Sequence, residues 1–144
     1  MENFNLWFGG LIGFGYIYYM IAGRFSLKPK DQPFNNLFEN SFFVKNLGLT
    51  VSIAIIGLWR ISDDTRETLY FAPIIFLVTL RIADLISLFI NDRHVIIATR
   101  WDNPPKGKKG INWIDRVLSF LIIFIPMISC GLIMNKLNFG VFIK

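Results

Sequence analysis

Arg81 and Asp84 are the only charged residues between Thr68 and Ile90, a run otherwise apolar enough to cross a membrane. Charge at mid-bilayer depth costs several kcal/mol per group, so such residues mark an assembly or functional site by default. The i,i+3 spacing puts guanidinium and carboxylate on one helical face, where they can pair. At 100° per residue, Tyr70, Ser87 and Asn91 join them in a polar stripe about 120° wide, with Thr79 off it. Lipid cannot satisfy such a stripe, so it must meet protein or a water-filled path. Two chemistries follow. One is an ion or proton route in which Asp84 titrates beside Arg81. The other, which leads, is a neutralised pair that fixes helix packing.

Other groups carry weaker chemistry. Asp63, Asp64 and Glu67 could attract a cation, but Asp64 and Glu67 have capping-box spacing, and acids suit a helix N-terminus. His94, next to Arg93, could sense pH or move a proton; as a single loop histidine it reads as solvated or interfacial. Asp115-Arg116 reads as an interfacial pair. Arg93, Arg100, Lys106, Lys108 and Lys109 could bind anionic lipid headgroups or an acidic partner, or serve topology alone. The loop that carries them is too short for a nucleic-acid platform. Cys130 is the only cysteine, so no intrachain disulfide forms. One histidine excludes a bis-histidine haem within the chain, and zinc would need carboxylates. No nucleophile elbow, zincin helix or phosphate loop is present. No enzyme activity, cofactor or metal is expected.

The elements that must position these groups are membrane helices. The 144 residues are 53% hydrophobic with mean hydropathy +0.50, too apolar for a small soluble domain. Four spans can be drawn, at about 4–23, 43–60, 68–90 and 113–134. The start, Met1-Glu2-Asn3, has no basic stretch of the kind a cleaved signal shows. Trp7, Trp59, Trp101 and Trp113 fall near span ends, as an aromatic belt predicts. Phe34, Leu37, Phe38 and Phe42, after Pro33, have helical spacing and suggest a short amphipathic interfacial helix before the second span. After Asn91 the chain either extends the third helix or breaks into an extended segment, a choice that Val95-Ile96-Ile97 leaves open. Pro104-Pro105 ends any helix.

Threading follows from basic residues. Loops 24–42 and 91–112 with their flanks carry Arg24, Lys28, Lys30, Lys45, Arg93, Arg100, Lys106, Lys108, Lys109 and Arg116. The other side carries Arg60, Arg66, Lys136 and Lys144. The bias places both loops in the cytoplasm of a cell (inner) membrane protein and both termini outside.

Small residues mark packing faces. Gly9 and Gly13 form a Gly-x-x-x-Gly in the first span, and Gly48 and Ser52 a small-x-x-x-small pair in the second. They suit an oligomer contact or, preferentially, packing of these two spans on each other. Pro126 suggests a kink in the fourth span, and Cys130 small-residue packing.

The expected fold is all-α, one four-span membrane domain with a short interfacial helix between the first and second spans. The expected function is non-enzymatic. The chain would be a small subunit that oligomerises, or docks in a larger membrane complex, through its first span and the Arg81/Asp84 face. One alternative is an oligomeric channel or proton pathway lined by Tyr70, Arg81, Asp84, Ser87 and Asn91. Another is a membrane protein that neutralises a membrane-active toxin. The expected partners are the lipid bilayer, copies of the chain or other membrane subunits, and anionic headgroups, without nucleic acid.

Overall fold

A computed structural model describes residues 2–22, 36–61, 65–97 and 111–141. Within them the chain is mostly helical and contains no strand. Four helices follow in order: α1 (Glu2–Ala22), α2 (Asn40–Arg60), α3 (Ala72–Asn91) and α4 (Trp113–Val141). A 3-10 turn, Thr65–Phe71, leads directly into α3. Three helical stretches are long and apolar enough to cross a membrane: Asn40–Arg60, Glu67–Asn91 and Trp113–Leu137. The apolar stretch of α1, Trp7–Ile21, is shorter. Of the expected interfacial helix, Phe34 lies outside the described residues, Leu37–Glu39 form a turn and Phe42 already belongs to α2. Leu37 is buried in the common core.

The third span is not one regular helix. Pro73 lacks an N–H, so the Leu69 carbonyl four residues earlier loses its α-helical donor, and the chain through Phe71 winds as 3-10 instead. This turn is the hub of the bundle, packed against α1, α2 and α4. Glycines let two helices close on it. A Cβ on Gly13 would collide with the Leu69 backbone carbonyl, and one on Gly57 would stand 2.6 Å from the Tyr70 Cβ. A Cβ on Gly9 would stand 3.3 Å from the Tyr70 ring, a tight contact rather than a collision. The first-span Gly-x-x-x-Gly therefore packs within the chain, but on the 3-10 turn rather than on α2. Gly48 and Ser52 are exposed; nothing lies within 4 Å of a Cβ on Gly48, and the Ser52 hydroxyl donates to the Gly48 carbonyl. Among the described residues they pack on no other helix.

Contacts along α3 set the relative heights. α1 runs parallel to it, with Tyr16 edge-on to Phe76. α2 runs antiparallel, from Phe43 at Arg81 to Gly57 at Tyr70. α4 starts beside Asn91 and packs back along α3 to the 3-10 turn, continuing through Pro126. At 1.5 Å rise per residue, α3 overshoots the start of α2 by roughly 10 Å. Glu39, Asn40 and Ser41 are exposed at that lower step. The core runs through Ile17, Met20, Phe76, Leu77, Leu80, Leu118 and Ile122.

Candidate functional site

At the overshooting end the chain turns back into the bundle. Asp92 takes a left-handed conformation (φ 53°) just past α3, with its N–H on the Leu88 carbonyl at 3.2 Å. Asx residues tolerate this region. Residues 94–97 then run without helical structure against α3 and α4, burying Val95 and Ile97. Of the two alternatives open for this stretch, the non-helical one is observed, and it is re-entrant.

A buried carboxylate holds it. Asp84, 1% exposed, accepts the Val95 backbone N–H at 3.0 Å. Both its oxygens lie 3.1 Å from His94 Nδ1. The His94 ring stacks on Phe38 with centroids 4.5 Å apart, and its side chain is 55% exposed. His94, expected to be solvated or interfacial, is accessible, and its ring is oriented by Asp84 and Phe38.

A second carboxylate finishes the clamp. Asp115 is fully buried. It accepts from Arg93 Nη2 at 2.6 Å, from the Asn112 backbone N–H at 2.8 Å and from Asn91 Nδ2 at 3.3 Å. Asn112 Nδ2 donates in turn to Asn91 Oδ1 at 3.2 Å. One turn on, the Ser119 hydroxyl sits between the carbonyls of Ile96 (3.1 Å) and Asp115. The two acids thus fasten residues 91–97 to α3 and to the start of α4.

The stripe residues divide. Tyr70, Asp84 and Ser87 are buried by the chain's own segments, and Asn91 joins the Asp115 network. Thr79, off the stripe, is buried as well. The Ser87 hydroxyl has no hydrogen-bond partner. Arg81 does not pair with Asp84. Its guanidinium lies over the Phe43 ring, 5.3 Å from the centroid. The carboxylate is occupied by the Val95 amide and His94, so the i,i+3 proximity is not used for an ion pair.

Of the basic set, Arg93 is bound to Asp115. Arg100, Lys106, Lys108 and Lys109 lie outside the described residues. At the opposite end, Glu67 does not serve as a free capping acid. It is 2% exposed, and its Oε1 accepts from Arg60 Nη2 at 2.9 Å and Nε at 3.2 Å. Its Oε2 has no hydrogen-bond partner. Asp63 and Asp64 lie outside the described residues. Among the described residues no cluster of three or more metal-ligating side chains occurs. Cys130 is buried and free.

Sequence spacing held one clue to the Asp115 anchor. Asn112 and Asp115 stand three apart at the start of α4, and the Asp115 side chain reaches back to the Asn112 N–H, half of a capping box. The Asp84–Val95 bond had no such signal, because it depends on a backbone reversal at Asp92.

Among the described residues the architecture is mainly helical, with three helices long and apolar enough to cross a membrane and a clamped non-helical segment after α3. Comparison with family models, curated proteins and solved structures gives no match.

Proposed function

We propose that the chain is a non-enzymatic, four-span membrane protein that works as a small subunit of a larger membrane assembly. In this reading both termini lie outside and loops 24–42 and 91–112 are cytoplasmic, following the distribution of Lys and Arg. α1, with its 21 residues, supplies the fourth span. Docking uses the outward face of α1, not the polar face of the third span. The observation that carries this is an open apolar groove of about 610 Å³ lined by Trp7, Gly10, Leu11, Phe14, Tyr18 and Leu69. Trp7, Leu11 and Tyr18 are each more than 70% exposed, and Gly10 lets a helix approach closely. A transmembrane helix of another subunit fits such a surface.

The enclosure of Tyr70, Asp84 and Ser87 supports a structural role for the stripe over a conducting one. The clamp would fix the base from which the basic loop, with Arg100, Lys106, Lys108 and Lys109, meets an acidic surface in the cytoplasm. The test is the mass and composition of the particle in mild detergent, together with disulfide crosslinking of Leu11→Cys in a Cys130→Ser background. A multi-subunit particle crosslinked at position 11 is expected. A single-chain particle with no crosslink would overturn the reading. In proteoliposomes the wild-type chain should give no ion flux; flux abolished by Asp84→Asn would favour the pathway instead.

A further inference from the structure

We propose that Arg81 binds the phosphate of an anionic phospholipid, drawn in against the short side of the bundle. The proposal rests on the membrane reading above but not on the assembly reading. Arg81 is half-buried on α3, and one face of its guanidinium is covered by Phe43. It makes no hydrogen bond or ion pair with any described residue. The nearest carboxylate in sequence, Asp84, is already taken by the Val95 N–H and His94 Nδ1. A guanidinium has five N–H donors and stays charged at any physiological pH. In an apolar surrounding those donors require an acceptor.

The heights of the helices say which acceptor is within reach. Phe43 stands one turn inside the start of α2, and Glu39, Asn40 and Ser41 just before it are exposed and polar. Those groups belong at headgroup level, so Arg81 lies about one helical turn below that level on the α2 side. It is not at mid-bilayer there, although α3 and α4 continue past it. Snorkelling and local thinning of the bilayer close a gap of that size. The guanidinium edge can then donate two parallel N–H bonds to two phosphate oxygens while Phe43 holds its plane. A choline headgroup would bring its own cation towards Arg81, so an anionic headgroup is preferred.

Native mass spectrometry and thermal unfolding of the full chain in mild detergent test this, with phosphatidylglycerol, phosphatidylcholine or inorganic phosphate added. Wild type should retain phosphatidylglycerol and gain thermal stability from it, and should do neither with the other two. Arg81→Gln should lose at least tenfold of the retained lipid, and Lys136→Gln, at the other end, none. Equal retention by wild type and Arg81→Gln overturns the proposal, as does an equal response to phosphatidylcholine or inorganic phosphate. If Arg81→Gln does not fold, Arg81→Lys and Phe43→Leu decide. Each should retain several-fold less lipid than wild type, and unchanged retention in both overturns it. Carbonate extraction of the wild-type chain reports separately on membrane integration.

Discussion

The Val95 backbone N–H donates to the Asp84 carboxylate across eleven residues of sequence, at 3.0 Å and in a buried setting. That bond ties a non-helical segment to the face of a membrane-type helix. A buried amide without an acceptor costs about 1–3 kcal/mol, and more when the lost acceptor was charged. Asp84→Ala should therefore lower stability by about 3 kcal/mol in thermal unfolding in detergent. His94→Ala should cost less, because the imidazole is more than half exposed and its loss leaves the Val95 bond intact. Equal losses from the two changes would contradict this ranking.

Arg81 and Asp84 are neighbours that do not pair, and a double-mutant cycle can show it. Groups in direct contact couple by about 0.5–3 kcal/mol, whereas independent sites add to within about 0.5 kcal/mol. The cycle of Arg81→Gln and Asp84→Asn should stay below about 0.5 kcal/mol. Recovery of stability in the double variant would mean that the two charges meet after all.

Asp115 offers a larger effect than its position at a helix start suggests. Removing one partner of a buried ion pair leaves the other charge uncompensated, at about 3–5 kcal/mol. Arg93 keeps 20% side-chain exposure, so the lower end applies: Asp115→Ala should cost about 3 kcal/mol. Amide exchange along residues 91–97 should rise in parallel. A loss under about 1 kcal/mol would show that the network is not a fastening.

The glycines separate by what their missing side chains would meet. Gly13→Ala would drive a methyl into the Leu69 carbonyl and Gly57→Ala one into Tyr70, each at about 1–3 kcal/mol for overpacking. Gly48→Ala meets nothing, and alanine's helix propensity should make it neutral or stabilising by up to about 1 kcal/mol. Thermal unfolding of the three variants checks the order. A Gly48→Ala loss as large as that of Gly13→Ala would show that α2 is covered by another chain.

Much of the helical framework was legible because apolar runs of span length are a strong signal: α2, the third span and α4 lie where hydropathy puts them. Of the stripe, Tyr70, Asp84 and Ser87 are each buried, but at different heights and against different segments. What covers them was not legible. Helical spacing brings Arg81 and Asp84 within reach, but a carboxylate takes the best donors offered by the whole fold, and these arrive from residues 94 and 95 through the turn at Asp92. Gly13 was visible as a packing residue, yet its partner is a 3-10 turn created by Pro73, which periodicity treats as ordinary helix. Gly57 drew no attention because no second small residue marks it at i±4 on a matching face; Tyr70 alone makes it necessary.

Hydrogen exchange at the Val95 amide tests the clamp most directly. In the wild-type chain, held in mild detergent, that amide should be protected to a degree comparable with the middle of α3. In Asp84→Ala the protection should fall by at least a hundredfold while α3 itself stays protected. Exchange of the wild-type Val95 amide at the rate of an open loop would contradict the account, because the segment would then not be held in the bundle by Asp84.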